Sequence, residues 1–229
     1  MKMIGLIGGM SWESTVTYYQ TINEHIKQKL GGLHSAEILL FSVDFEEIEA
    51  CQSAGDWDTS ASILADAACR LERAGADLIL ICTNTIHKVA PQVQSAIHVP
   101  LLHIADATAD ALKTAGVTDA ALLGTKYTMC QDFYRDKLIQ AGFRVRIPHG
   151  KDIELVHHII FDELCLGERK EASKAELLRI IDSLAREGAQ GVILGCTEIG
   201  LLIHQADTSL PVFDTTLLHA VRAAELSLL

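Results

Sequence analysis

Ala74-Gly75-Ala76-Asp77-Leu78-Ile79-Leu80-Ile81-Cys82-Thr83-Asn84-Thr85 and Glu187-Gly188-Ala189-Gln190-Gly191-Val192-Ile193-Leu194-Gly195-Cys196-Thr197-Glu198 align without a gap, with Thr83 falling opposite Cys196. Each passes a turn glycine, runs through an apolar stretch and ends in a short polar loop. Two further pairs match in the same order at nearly the same separation: Ile4-Gly5-Leu6-Ile7-Gly8-Gly9 with Ala120-Ala121-Leu122-Leu123-Gly124-Thr125, and Val99-Pro100-Leu101-Leu102-His103 with Leu210-Pro211-Val212-Phe213-Asp214. Three ordered matches mark an internal duplication. The duplication predicts two pseudo-symmetric domains, one of residues 1–99 plus 212–229 and the other of residues 100–211, with the last helix returning to the first half. In doubly wound sheets ligands sit outside the carboxyl ends of the strands. A substrate cleft is therefore expected between the halves.

The rest of the chain has the same rhythm. Short apolar runs at 2–7, 37–43, 101–104, 143–147 and 212–213 alternate with helical periodicity, as parallel strands buried on both faces do. The fold class is α/β with parallel sheets. Thr15 to Leu30 reads as a helix with Val16, Tyr19, Ile22 and Ile26 inward. Another is opened by Ser173-Lys174-Ala175-Glu176, a capping-box spacing, and stopped at Gly188.

Composition narrows the function. A length of 229 residues is about one and a half average domains, enough for a real core without staples. Nineteen basic residues against thirty acidic leave a net charge of −11, which opposes attraction to nucleic acid or anionic lipid. Apolar stretches such as Leu78 to Ile81 are far shorter than the roughly 20 residues of a membrane span. The N-terminal segment runs straight into a strand pattern without a secretory cleavage site, so a cytoplasmic protein with reduced cysteines is expected.

Four loops follow buried strands: Gly8-Gly9-Met10-Ser11, Thr83-Asn84-Thr85, Gly124-Thr125-Lys126-Tyr127-Thr128 and Gly195-Cys196-Thr197-Glu198. Backbone N–H groups at helix starts bind anions without a positive side chain. An acidic chain can thus hold an acidic metabolite. Cys196, placed between strand and helix where a dipole would lower its pKa, is the strongest nucleophile or base. Cys51, Cys69, Cys130 and Cys165 are assigned to buried structural roles, and Cys82 to the core, because strand alternation turns it away from Thr83. Other chemistries lack their patterns: the spacing at Gly5 is not G-x-G-x-x-G, no phosphate-loop motif occurs, Cys82 and His87 have no second local pair to complete a zinc site, and no G-x-S-x-G is present.

These motifs resemble the cofactor-independent aspartate/glutamate racemases, in a superfamily with hydantoin racemases, arylmalonate decarboxylases and maleate isomerases. The carriers are Ile4 to Thr15, Thr83-Asn84-Thr85-Ile86-His87, Leu123-Gly124-Thr125 and Gly195-Cys196-Thr197-Glu198, which together span the chain. The resemblance implies a homodimer, no cofactor, and one catalytic cysteine from each domain, and the missing zinc pattern implies no metal. Here the first of those positions is Thr83. The expected catalytic pair is Cys196, as main acid/base, and Thr83, a weak partner, so that one enantiomer should be favoured. The resemblance also places Met10, Ser11, Gln52, Asn84, Thr85, Thr125, Tyr127, Thr128, Thr197 and Glu198 at the substrate, with Glu198 a possible holder of the ammonium group. Two other readings start from the same single thiol: a malonate-type decarboxylase, and a non-catalytic binding protein for an acidic metabolite.

Overall fold

The computed structural model describes residues 1–229. In chain order the elements are β1 (Ile4–Gly8), α1 (Trp12–Leu30), β2 (Ile38–Ser42), α2 (Phe45–Ala54), α3 (Trp57–Arg73), β3 (Leu78–Ile81), α4 (Ala90–Ser95), β4 (Leu101–Leu102) and α5 (Ile104–Thr114). There follow β5 (Asp119–Gly124), α6 (Lys126–Cys130), α7 (Asp132–Gln140), β6 (Arg144–Arg146), α8 (Lys151–Asp162), α9 (Glu171–Arg186), β7 (Gly191–Gly195), β8 (Val212–Asp214) and α10 (Thr215–Ser227). The strands form two parallel four-stranded sheets, β2-β1-β3-β4 and β6-β5-β7-β8. The order is the same in both, as a duplicated unit requires.

Two contact units hold these sheets, Met1–Ile104 with His219–Leu229, and Ala105–Leu218. The chain changes unit inside α5 and α10, a few residues after Pro100 and Pro211. The cause is strand pairing: β4 completes the first sheet by pairing with β3, and β8 completes the second by pairing with β7.

In the first unit, alternation divides each strand between two cores. Ile4, Leu6, Leu78 and Leu80 join Tyr18, Ile22 and Ile26 of α1 and Ala220, Ala223 and Ala224 of α10 on one face. Ile7, Ile79 and Ile81 join Ile48, Leu64, Ala68 and Val93 of α2, α3 and α4 on the other. Burying each such Ile or Leu is worth about 1.5–3 kcal/mol, so neither face of the sheet can be left bare. In the second unit Ala121, Leu123, Val192 and Leu194 pack with Val156 and Ile160 of α8 and Leu177, Ile181 and Leu184 of α9. No helix is long and apolar enough to cross a membrane.

Two expectations need correction. The inward stripe of α1 is Thr15, Tyr18, Ile22 and Ile26, while Val16 and Tyr19 are exposed. Thr15 sets that rotation: its Oγ1 accepts from Gly9 N–H (2.9 Å) and donates to Ser11 O (2.8 Å), which pins the first turn to the end of β1. Helix α9 begins at Glu171, so Ser173 lies inside it. Its hydroxyl donates to Glu163 instead of capping.

Candidate active site

In the first unit the loops after β1 and β3 lie side by side at the carboxyl edge of the sheet, since Cys82 N–H continues the ladder onto Ile7 O (2.9 Å). Ser11 caps α1, its Oγ accepting from Ser14 N–H (3.4 Å). The Met10 side chain joins the core cluster of Ile48, Ile81 and Ile86. Thr83 is half-buried and its N–H bonds Ile81 O (2.9 Å), while Asn84 and Thr85 are buried where a 3-10 turn, Thr85–Val89, begins. Gln52 is buried on α2. Cys82 lies in the core cluster of Ile4, Leu6 and Tyr18, as alternation predicts, and burial pushes its thiol pKa far up.

In the second unit Gly124 and Gly195 pair at the ends of β5 and β7. Thr125 caps α6, accepting from Thr128 N–H (3.2 Å), and the two hydroxyls lie 3.2 Å apart. Tyr127 is half-buried and meets the His157 ring edge-on, 6.0 Å between centroids. After β7, Cys196 Sγ donates to Glu198 Oε2 (2.9 Å), and Thr197 Oγ1 donates to the same oxygen (2.8 Å). Cys196, Thr197 and Glu198 are all buried.

This geometry reverses the expected tuning of the thiol. Burial, then the charge of Glu198, push the pKa of Cys196 well above the usual thiol range. The lowering expected from the sequence needs an α-helix starting at the cysteine. The chain instead forms the three-residue 3-10 turn Ile199–Leu201, with too few aligned peptides to make a comparable dipole. The loop after β3 likewise leads into a 3-10 turn. The buried assignment of the other cysteines is also corrected: Cys51, Cys69 and Cys165 are half-buried and Cys130 is exposed. Cys69 of α3 and Cys165 in the turn after α8 pack at the margins of the two cores, while Cys51 and Cys130 lie on helix surfaces away from them.

Two arrangements escape reading from sequence. One is a set of histidines behind Thr83: His87, His103 and His219. The other is the contact of Gly200 with Asp214: a Cβ on Gly200 would lie 2.0 Å from Asp214 Oδ2. The same carboxylate caps α10, its Oδ1 accepting from Thr216 N–H (2.8 Å) and Leu217 N–H (3.2 Å). Gly200→Ala should therefore displace a helix cap. The expected cost is about 1–3 kcal/mol, and a thermal melt within a degree of the unmodified protein would contradict the contact.

The comparisons agree with this architecture. The sequence profile described as Asp/Glu/Hydantoin racemase matches residues 7–223. The chain belongs to that family. A candidate Asp/Glu racemase from Yersinia pestis is 54% identical, with all of both chains covered and a TM-score of 0.94. An aspartate racemase homologue from Pyrococcus horikoshii is 40% identical, again over all of both chains, with a TM-score of 0.87. The broad specificity amino-acid racemase RacX of Bacillus subtilis is 23% identical over 229 aligned positions, 93% of each chain.

Proposed function

We propose that this protein racemises an acidic amino acid, aspartate or glutamate, at Cα without a cofactor, with Cys196 as the main acid/base and Thr83 acting on the opposite face of the carbon. The observation that carries the reading is the hydrogen bond from Cys196 Sγ to Glu198 Oε2. A buried thiol is a poor base until its proton has somewhere to go. Glu198 can take that proton, leaving a thiolate in a nearly dry site where it is strongly basic. The thiolate then removes the Cα proton, and the C–H electron pair moves into the substrate carboxylate as an enediolate. Donors of the kind that Asn84, Thr85, Thr125 and Thr197 supply would stabilise that charge. Protonation by the Thr83 hydroxyl on the far face gives the mirror image, the Thr83 alkoxide then regaining a proton from solvent as Glu198 releases the one it took, and return from Cys196 gives back the starting isomer. Met10, Ser11, Gln52, Tyr127 and Thr128 complete the proposed substrate contacts. Family resemblance supports extending the reading to a cytoplasmic homodimer.

The direct test is incubation with both enantiomers of aspartate and glutamate, and with a disubstituted malonate, in deuterated buffer, followed by chiral chromatography and mass measurement. Inversion with Cα deuterium supports the reading. Loss of CO2 from the malonate alone would replace it with a decarboxylase, and no reaction with binding would leave a binding protein.

The role of Glu198 has its own check. Because its negative charge opposes thiolate formation, Glu198→Gln should lower the Cys196 pKa and move the pH profile of Cys196 alkylation downward. An unmoved profile would show that the Glu198 charge does not hold the thiol protonated, and unchanged turnover in the same variant would remove Glu198 from the proton path.

A further inference from the structure

His87 follows the β3 loop on its 3-10 turn and is buried. Its Nδ1 lies 2.7 Å from Thr83 O, and its Nε2 accepts from the N–H of Ile104, 3.2 Å away. A carbonyl can only accept and a peptide N–H can only donate, so His87 carries its hydrogen on Nδ1 and is neutral. The ring lies 4.5 Å from that of His103 and 5.7 Å from that of His219, centroid to centroid. His219 Nε2 donates to Leu102 O (2.9 Å), and its Nδ1 lies 2.9 Å from the Tyr18 hydroxyl. Ile104 of α5, His103 and His219 of α10 thus meet the His87 ring, with His219 itself held by Tyr18 of α1 and Leu102 of β4, and the His87 ring grips the Thr83 carbonyl.

The corresponding place in the other half is built differently. The repeat sets His87 opposite Gly200 and His103 opposite Asp214. There the Asp214 carboxylate lies against Gly200, and the Cys196 carbonyl accepts from the backbone N–H of Ile199 (3.2 Å). The imidazole clamp therefore belongs to the threonine side alone.

We infer that His87 is a positioning residue for Thr83: by holding the Thr83 carbonyl it fixes the peptide plane from which the Thr83 hydroxyl and the Asn84 N–H project, and so governs proton delivery from that face only. The inference rests on the assignment of Thr83 as the second acid/base. Its quantity of interest is a ratio. Cys196 can remove the Cα proton and return a deuteron to the same face, whereas inversion requires Thr83. Poorer placement of Thr83 raises deuteration without inversion relative to inversion. A general loss of folded protein lowers both equally and leaves the ratio alone.

The experiment measures that ratio, in deuterated buffer with aspartate and glutamate enantiomers, for Thr83→Ala, His87→Leu, His87→Gln and His87→Asn. Glutamine can still accept from Ile104 N–H but offers no donor at the Nδ1 position, and asparagine keeps a donor near that position. His87→Leu and His87→Gln should raise the ratio about five- to tenfold, the effect of one well-placed hydrogen bond, with His87→Asn within about twofold of the unmodified protein. A raised ratio in Thr83→Ala with no rise in His87→Leu or His87→Gln overturns the role of His87 alone. An equal rise in His87→Asn also overturns it, because the donor would then not matter. No rise in Thr83→Ala removes Thr83 as the second acid and this inference with it.

Discussion

Cys196→Ala is expected to lower racemisation by roughly a thousandfold or more, since a positioned general acid/base contributes about 10²–10⁴. The loss should be chemical. The side chain contributes one sulfur to a cluster that includes Leu194, Ile199 and Leu202, so the variant should remain folded by circular dichroism and melt within a few degrees of the unmodified protein. Cys196→Ser keeps a hydrogen bond to Glu198 but replaces the thiol by a much weaker acid, and should recover little activity. Cys82→Ala is the matched control. It also removes a buried sulfur, from the opposite half of the repeat, and should reduce stability while preserving turnover. Near-normal turnover in folded Cys196→Ala would end the mechanism proposed here, and loss of turnover in folded Cys82→Ala would show that the register at the end of β3 has been misassigned.

The second large effect concerns isotope traffic. Free enantiomers have equal energy, so kcat/KM for inversion must be the same in both directions whatever stands at position 83. Asymmetry has to be sought in exchange. The isomer whose hydrogen faces Cys196 should take up deuterium at least about tenfold faster than it inverts, because the thiolate can remove and replace a proton without Thr83. Its mirror image should gain deuterium only as fast as it inverts, since every turn begins with the feeble hydroxyl base. Thr83→Cys supplies a second thiol, and should speed inversion by about tenfold or more while collapsing the excess exchange. Equal excess exchange from both isomers of the unmodified protein would mean that the two faces carry equally competent bases.

Much of this was legible in the sequence because a strand buried on both faces leaves an uninterrupted apolar run. The duplicated runs at β3 and β7 carry the polar loops at their ends with them, and so place Thr83 and Cys196 at matching positions. What could not be read depends on partners distant along the chain. The rotation of α1 is set by Thr15 bonding to the preceding loop, which periodicity alone cannot weigh against Val16 and Tyr19. Ser173 has a capping spacing but finds Glu163, just past the end of α8. The pKa of Cys196 turns on its burial and on the Glu198 carboxylate folded back against it, and neither is visible in the residues of the loop taken as a string. Tyr18, His87, His103 and His219 are spread from α1 to α10, so no local spacing announces their assembly.

The change of unit inside α10 bears on how the chain is made. The second unit is a continuous run, Ala105–Leu218, whereas the first needs His219–Leu229 in addition to its N-terminal portion. Domains commonly fold in the order in which they leave the ribosome. Here the later unit is fully synthesised first, and the earlier one must wait, with the face of β1 and β3 that α10 will cover still open, until Ala220, Ala223 and Ala224 arrive. His219 travels on the same helix. The scaffold behind Thr83 thus depends on a segment remote in sequence, whereas the loop of Cys196 is closed within one continuous run.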